Sequence, residues 1–417
     1  MIRAYFRGAR AVVLLLVAIV LSSWSWRLVS AQADPSSLPL LAEKDLHYLG
    51  GFRLPAGRTN NVDFSFGGRV AALNPAGPSL FVTSYAGAVA EITIPVPVNS
   101  ANVNELPFAS FVQPFADPTE GHLRDVGSIG VNITGLLVFG NRLLGAASIY
   151  YDANNSQRVS HFSRSLRLDE PSFSGWSRVW DAGRVGFVSG MMALVPREWQ
   201  ASLGGPAVTG QCCIPIVSRT SNGPAAFAFD PARIGQPAVG ATPLLYYTLN
   251  NATLGPWEGS NPTYGATTQI QGVAIIAGTR TLLYFGSNGM GPHCYGDGTA
   301  DKALDRTRST NGAYLCYDPT TNSKGSHAYP YRSQIWAYDL NELAAVRAGQ
   351  KQPWQVVPYG VWPLTLPTPE RTMRLGGVGY DAQQQIVYVS QLGADPDGFS
   401  SRPVMHAFQI ALPRPVR

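Results

Sequence analysis

Apolar residues in this chain fall in short runs rather than at helical spacing, and five of those runs open alike. Each starts at a glycine and continues as an apolar strand: Gly68-Arg69-Val70-Ala71-Ala72-Leu73, Gly135-Leu136-Leu137-Val138-Phe139, Gly190-Met191-Met192-Ala193-Leu194, Gly272-Val273-Ala274-Ile275-Ile276 and Gly377-Val378-Gly379-Tyr380. A second apolar run follows each one, at 80–84, 143–148, 214–218, 282–287 and 386–390, and ends on Ser84, Ser148, Ser218, Ser287 and Ser390. Third runs come at 89–94, 159–163, 225–229, 335–338 and 404–410, and fourth runs at 108–112, 177–180, 244–248 and 354–359. β-Branched and aromatic residues with turn residues between them predict strands. A glycine at the head of each unit suits a strand crowded against a central axis.

The last unit lacks a fourth run, since only 411–417 remain after it. The segment 47–54 is the expected substitute, an N-terminal strand that closes the last unit and removes two free edges. Five units of four strands resemble a five-bladed β-propeller, and the predicted fold class is all-β. The expected organisation is a signal peptide over 1–33 and one propeller domain over 34–417, with blades near 66–112, 130–182, 186–248, 270–360 and 374–410 plus 47–54. A short helix is expected at 341–348.

Composition agrees with many short strands: 43 glycines and 32 prolines make about 18% of the 417 residues, against roughly 12% in ordinary chains. Charged residues are only 14%, so the surface must be covered by neutral polar and aromatic groups. The N-terminus carries Arg3, Arg7 and Arg10, an apolar run over 11–21 and then Ala31-Gln32-Ala33, the order of a cleavable secretory signal. That run is too short to span a bilayer. Its removal takes away four arginines and no acid, which leaves 27 basic against 26 acidic residues, a net charge of +1. Neither nucleic acid nor an anionic membrane is therefore an expected partner. The expected product is a secreted or periplasmic monomer with no integral membrane segment.

Function is sought on loops that join second to third strands and one blade to the next. The candidate ligand-binding residues are Tyr85, Glu120, His122, Tyr150, Tyr151, Arg219, Asn222, Trp257, Asn288, His293, Arg371 and Gln391. Aromatic faces cover apolar sugar patches while amides and guanidinium groups satisfy hydroxyls, so a carbohydrate or similar polar ligand is expected in the funnel. The excursion from Asn288 to Gln334 has little periodicity, and an oxidising compartment predicts a Cys294–Cys316 disulfide within it. Cys212 and Cys213 are adjacent; a vicinal disulfide, free thiols and pairing with the other cysteines all remain open. The dipeptide resembles that of quinone-dependent dehydrogenases of propeller fold, which have more blades.

No cofactor and no metal site is predicted. Calcium is the one ion for which there is any donor chemistry, at Asp395-Pro396-Asp397-Gly398 and 297–305, although neither matches an EF-hand loop and turn chemistry accounts for both. Five-bladed glycosidases of the arabinanase and fructosidase type resemble this architecture, and the resemblance implies three carboxylates around the funnel. Their positional counterparts are Asp63 and Asp125, with Glu258 or Glu120 as the acid. The chain departs from that pattern at Asp181-Ala182-Gly183-Arg184, which has no glutamate. Lyase chemistry on an acidic polysaccharide would draw instead on His122, Arg124, Tyr151, Arg219 and Arg371. A protein-interaction scaffold is the further alternative.

Overall fold

A computed structural model describes residues 34–181, 183–212, 216, 218–259, 261–368 and 374–413; the signal peptide expected over 1–33 lies outside them. Among the described residues the chain is all-β with few helices, and the longest of these, Leu340–Arg347, lies where a short helix was expected.

Among the described residues five sheets, each built on four antiparallel strands, follow one another along the chain. The first contains Ala71–Asn74, Ser79–Thr83, Val89–Thr93 and Phe111–Ala116. The second contains Val131–Phe139, Arg142–Ile149, His161–Ser165 and Ser174–Val179, and gains a parallel edge strand, Ala238–Val239. The third contains Met192–Leu194, Ala207–Thr209, Ala226–Phe229 and Ala241–Leu245. The fourth contains Gln269–Ile275, Thr281–Gly289, Tyr331–Asp339 and Gly360–Pro363. The fifth contains Leu375–Asp381, Ile386–Asp397 and Ser400–Ile410, and its fourth strand is the N-terminal Leu46–Arg53, antiparallel to Ser400–Ile410.

The first strands of the five sheets touch in cyclic order, one to two, two to three, three to four, four to five and five back to one. Glycine permits that approach. A Cβ on Gly135 would overlap the carbonyl oxygen of Gly190 on the next sheet, and one on Gly377 would overlap the backbone of Val70 and Ala71.

The period of two along each strand decides which neighbour each side chain meets. Phe81 packs with Leu136, Val138 and Phe162 between the first and second sheets, whereas its neighbours Leu80 and Val82 pack with Met405 and Ala407 between the fifth and first. Leu282 and Tyr284 face the third sheet, with Val208 and Ala226, while Leu283 and Phe285 face the fifth, with Val387 and Val389. The second and third sheets share Leu144, Ala146, Phe227 and Phe229. Strands buried on both faces read as continuous apolar runs rather than alternating ones.

Three expectations change. The fourth strand of the fourth unit, expected at 354–359, is Gly360–Pro363, and Pro353–Gln355 is a short 3-10 turn. The expected second strand of the third unit, 214–218, falls largely outside the described residues; the strand paired with Met192–Leu194 is Ala207–Thr209, and Ser218 sits in an exposed turn. The excursion is also more regular than its sequence suggests. The fourth sheet's central strands pair out to Gly289 opposite Tyr331, and between them Cys294–Thr299, Leu315–Tyr317 and Lys324–His327 form a three-stranded sheet.

The Cys294–Cys316 disulfide is present, with its Cα atoms 5.7 Å apart. Closing a loop of 22 residues stabilises the fold by about 3 kcal/mol. Beneath it His327 Nδ1 lies 2.9 Å from Asp318 Oδ2, and the Tyr331 hydroxyl donates to the same oxygen at 2.7 Å. No described helix is long and apolar enough to cross a membrane.

Candidate functional site: the central cavity

First strands begin, and second strands end, at the same end of the ring. In the second sheet Asn132 lies opposite Ser148, and in the fourth Gln269 lies opposite Ser287. A cavity of about 600 Å³ opens there, among the first strands.

Its charged lining is Arg69, Arg219, Arg374 and Asp152. Asp152 is committed to its own loop. It accepts from the Ser156 amide at 2.6 Å, the Ser156 hydroxyl at 2.7 Å and the Gln157 amide at 3.0 Å. Partial burial pushes its pKa up, but these bonds and the nearby Arg219 charge outweigh that and hold it below the ordinary carboxylate value. Arg219 donates one NH2 to the Ala153 carbonyl at 3.2 Å, and its buried Nε has no partner. Arg69 lies over the Tyr85 ring at 5.8 Å; among the described residues neither it nor Arg374 has an ion pair.

The neutral lining comes from the same strand ends. Tyr85 and Tyr150 stand at the mouth with 63% and 61% of their surface exposed, so each ring offers an open face. Gln269 and Gln271 project just before the inner glycine of the fourth sheet. Ser84, Ser189 and Thr220 are each more than nine-tenths buried, and their hydroxyls have no protein partner. An orphaned buried hydroxyl in a native structure calls for a water or a ligand. Cys212 also lines the cavity and is disulfide-bonded; Cys213 lies outside the described residues.

The structure therefore brings Tyr85, Tyr150 and Arg219 together, while the other candidates stand elsewhere. Tyr151 is exposed beside the mouth but does not line it. Asn288 is buried, donating to the Asn261 carbonyl at 2.9 Å and accepting from Thr268 at 2.5 Å. Gln391 is buried too, its carbonyl receiving His406 Nε2 at 2.9 Å. Asn222 is fully buried with both amide atoms unpaired, yet it is not part of the cavity wall. Trp257 and His293 stack edge to face at 5.1 Å, and burial lowers the His293 pKa. Arg371 lies outside the described residues.

None of Asp63, Asp125 and Glu258 lines the cavity. Asp63 accepts from Arg58 and from the Ser65 amide, both at 2.9 Å. Asp125 pairs with His122 at 2.8 Å, and that imidazole stacks on Phe173 at 4.6 Å. Glu258 is exposed in the segment before the fourth sheet. Glu120 clamps a loop, accepting from the Ser172 and Phe173 amides at 2.7 and 2.9 Å. Asp395 and Asp397 are bound to Arg402 at 3.0 and 2.6 Å.

Residues that the sequence reading passed over are Arg69, Asn132, Asp152, Ser189, Gln269, Gln271 and Arg374. A signal for most of them was present. They sit within three residues of an inner-strand glycine, where the strand enters the ring.

No family model and no curated protein matches the chain. A solved structure from work on GH130, described as a family of mannoside phosphorylases containing glycoside hydrolases that target β-1,2 mannosidic linkages in Candida mannan, aligns with a TM-score of 0.42 and 10% identity, over 91% of this chain and 99% of that one.

Proposed function

We propose that the protein is an exported five-bladed β-propeller, one domain over 34–417, that binds a carbohydrate or similar polar ligand in the cavity at the head of its inner strands. The supporting observation is the cavity wall. It combines two exposed tyrosine rings, the amides of Gln269 and Gln271 and guanidinium groups around about 600 Å³, a volume suited to a small ligand or a few sugar rings. The repeated sheets, the cyclic contacts of their first strands and the closing N-terminal strand support the propeller. The leader sequence and the disulfide support export.

Hydrolysis by paired carboxylates needs two carboxyl groups facing the bond. Among the described residues the cavity offers only Asp152, whose oxygens already accept three hydrogen bonds. Binding without cleavage is accordingly the reading the geometry favours.

The test incubates the purified protein with neutral and acidic polysaccharides, with and without calcium, and reads both retention on the polymer and release of oligosaccharides by mass spectrometry. Retention that is lost in Tyr85→Ala and Tyr150→Ala, with no release, is the expected result. Released products would replace binding with catalysis, and absence of both would overturn the carbohydrate reading.

A further inference from the structure

We infer that the ligand is an anionic oligosaccharide, carrying uronate carboxylates or sulfate esters, and that it lies along a groove rather than only in the central cavity. This rests on the carbohydrate reading of that cavity and adds its charge and its length.

Charge comes first. Three guanidinium groups, Arg69, Arg219 and Arg374, line the cavity against the single carboxylate of Asp152. In a chain whose exported part is nearly neutral, that excess is local. Arg69 and Arg374 have no carboxylate partner among the described residues, so their charges are turned toward whatever enters. Planar guanidinium groups pair with carboxylate and sulfate through two parallel hydrogen bonds. The amides of Gln269 and Gln271 supply neutral donors and acceptors at the same wall, as sugar hydroxyls require.

Length follows from a second cavity of about 290 Å³ that adjoins the first. The two share Arg69, Gln269, Gln271 and Arg374, so they form one continuous surface with the two free arginines at the junction. The outer cavity is walled by Phe66 and Phe399, whose rings are exposed. Phe66 in turn meets Tyr85 edge to face at 6.3 Å, which links the aromatic rim of both parts. A chain with one ring in the centre and another against Phe66 and Phe399 would place an anionic substituent between Arg69 and Arg374.

The test is calorimetric titration of the purified chain with a tetragalacturonate, its neutral methyl ester, a sulfated tetrasaccharide and a neutral mannotetraose. At least one anionic probe should bind tenfold or more tighter than both neutral probes and weaken as salt is raised. Arg69→Gln and Arg374→Gln, at exposed positions where melting should not change, should each remove most of that preference. Phe399→Ala should weaken the tetramer while leaving the corresponding dimer unaffected. Whichever anionic probe binds identifies the charged group. Neutral probes binding as tightly as anionic ones would overturn the charge inference and leave the carbohydrate reading standing. Equal affinity of dimer and tetramer would overturn the groove, and no binding of any probe would overturn both readings.

Discussion

Two histidines buried in the sheets should make this protein sensitive to mild acid. His161 is fully buried at the start of the second sheet's third strand; its Nδ1 lies 2.7 Å from the Ser160 hydroxyl and its Nε2 3.0 Å from the Thr209 hydroxyl on the third sheet. His406 is buried in the third strand of the fifth sheet, between the Tyr48 hydroxyl at 3.0 Å and the Gln391 carbonyl at 2.9 Å. Burial disfavours the imidazolium, and both pKa values fall to about 3. In the unfolded chain each titrates near 6.5. Below that pH the unfolded state takes up protons that the folded state refuses, so stability is complete above about pH 6.5 and declines as pH falls toward about 3. Each group removes about 1.4 kcal/mol per pH unit, so the pair should lower stability by about 4 kcal/mol between neutral pH and pH 5. Urea melts followed by tryptophan fluorescence at pH 8, 6, 5 and 4 would measure this. A His161→Gln/His406→Gln variant should be less stable at pH 8 but show a much flatter slope. A fall of less than about 1 kcal/mol by pH 5, or an unchanged slope in the double variant, would refute the reasoning. Because Tyr48 lies on the closing strand, amide protection factors over residues 46–53 should fall as the pH is lowered, once the slower intrinsic exchange in acid is divided out.

Other perturbations address other parts of the frame. Cys294→Ser with Cys316→Ser should lower stability by about 3 kcal/mol, with exchange protection lost mainly over 294–327. Gly377→Ala sets a methyl group against the backbone of Ala71 and should cost about 3 kcal/mol or more by forcing two inner strands apart, readable in the urea midpoint. Asp318→Asn should cost about 2 kcal/mol, because the carboxylate's charge-assisted hydrogen bonds from Thr320 and Tyr331 and its bond to His327 are weakened. Burial raises the Asp318 pKa, but hydrogen bonds from His327, Thr320 and Tyr331 outweigh it and hold the pKa low, so this contribution is complete above about pH 4 and lost below it. Gln269→Ala and Gln271→Ala should leave the melting midpoint within about 0.5 kcal/mol while reducing ligand affinity, because both side chains face the cavity and make no internal hydrogen bond among the described residues.

The architecture was legible where backbone crowding restricts residue type. An inner strand that packs against its neighbours admits only glycine at the closest approach, so Gly135, Gly272 and Gly377 mark the units without any structure. The closing strand followed from a shortage of outer strands in the last unit, and it appears at Leu46–Arg53. The third sheet was misplaced for an equally physical reason. Its second strand is only Ala207–Thr209, too short to stand out. The excursion looked irregular because Cys294–Thr299, with two glycines in six residues, has no apolar face. Its sheet is held instead by a disulfide and by the Asp318, His327 and Tyr331 hydrogen bonds, which leave no periodicity to read.

The site was less legible than the frame because a polar residue at a strand end has two very different fates. Tyr85 and Tyr150 lie just beyond their second strands, whereas Asn288 and Gln391 are still inside theirs, and their amides are spent on Thr268, Asn261 and His406 inside the fold. The carboxylates Asp63, Asp125 and Glu120 are likewise held by Arg58, His122 and backbone amides beside the cavity rather than within it. Side chains beside the inner glycines differ in one respect. Arg69, directly after its glycine, and Gln269, Gln271 and Arg374, within three residues ahead of theirs, line the central space and have no ion pair or side-chain hydrogen bond among the described residues. Residues there can change without disturbing the apolar layers between sheets. On the proposed reading, ligand choice would be carried by positions that contribute little to stability: three guanidinium groups, two amides and the tyrosine faces beside them.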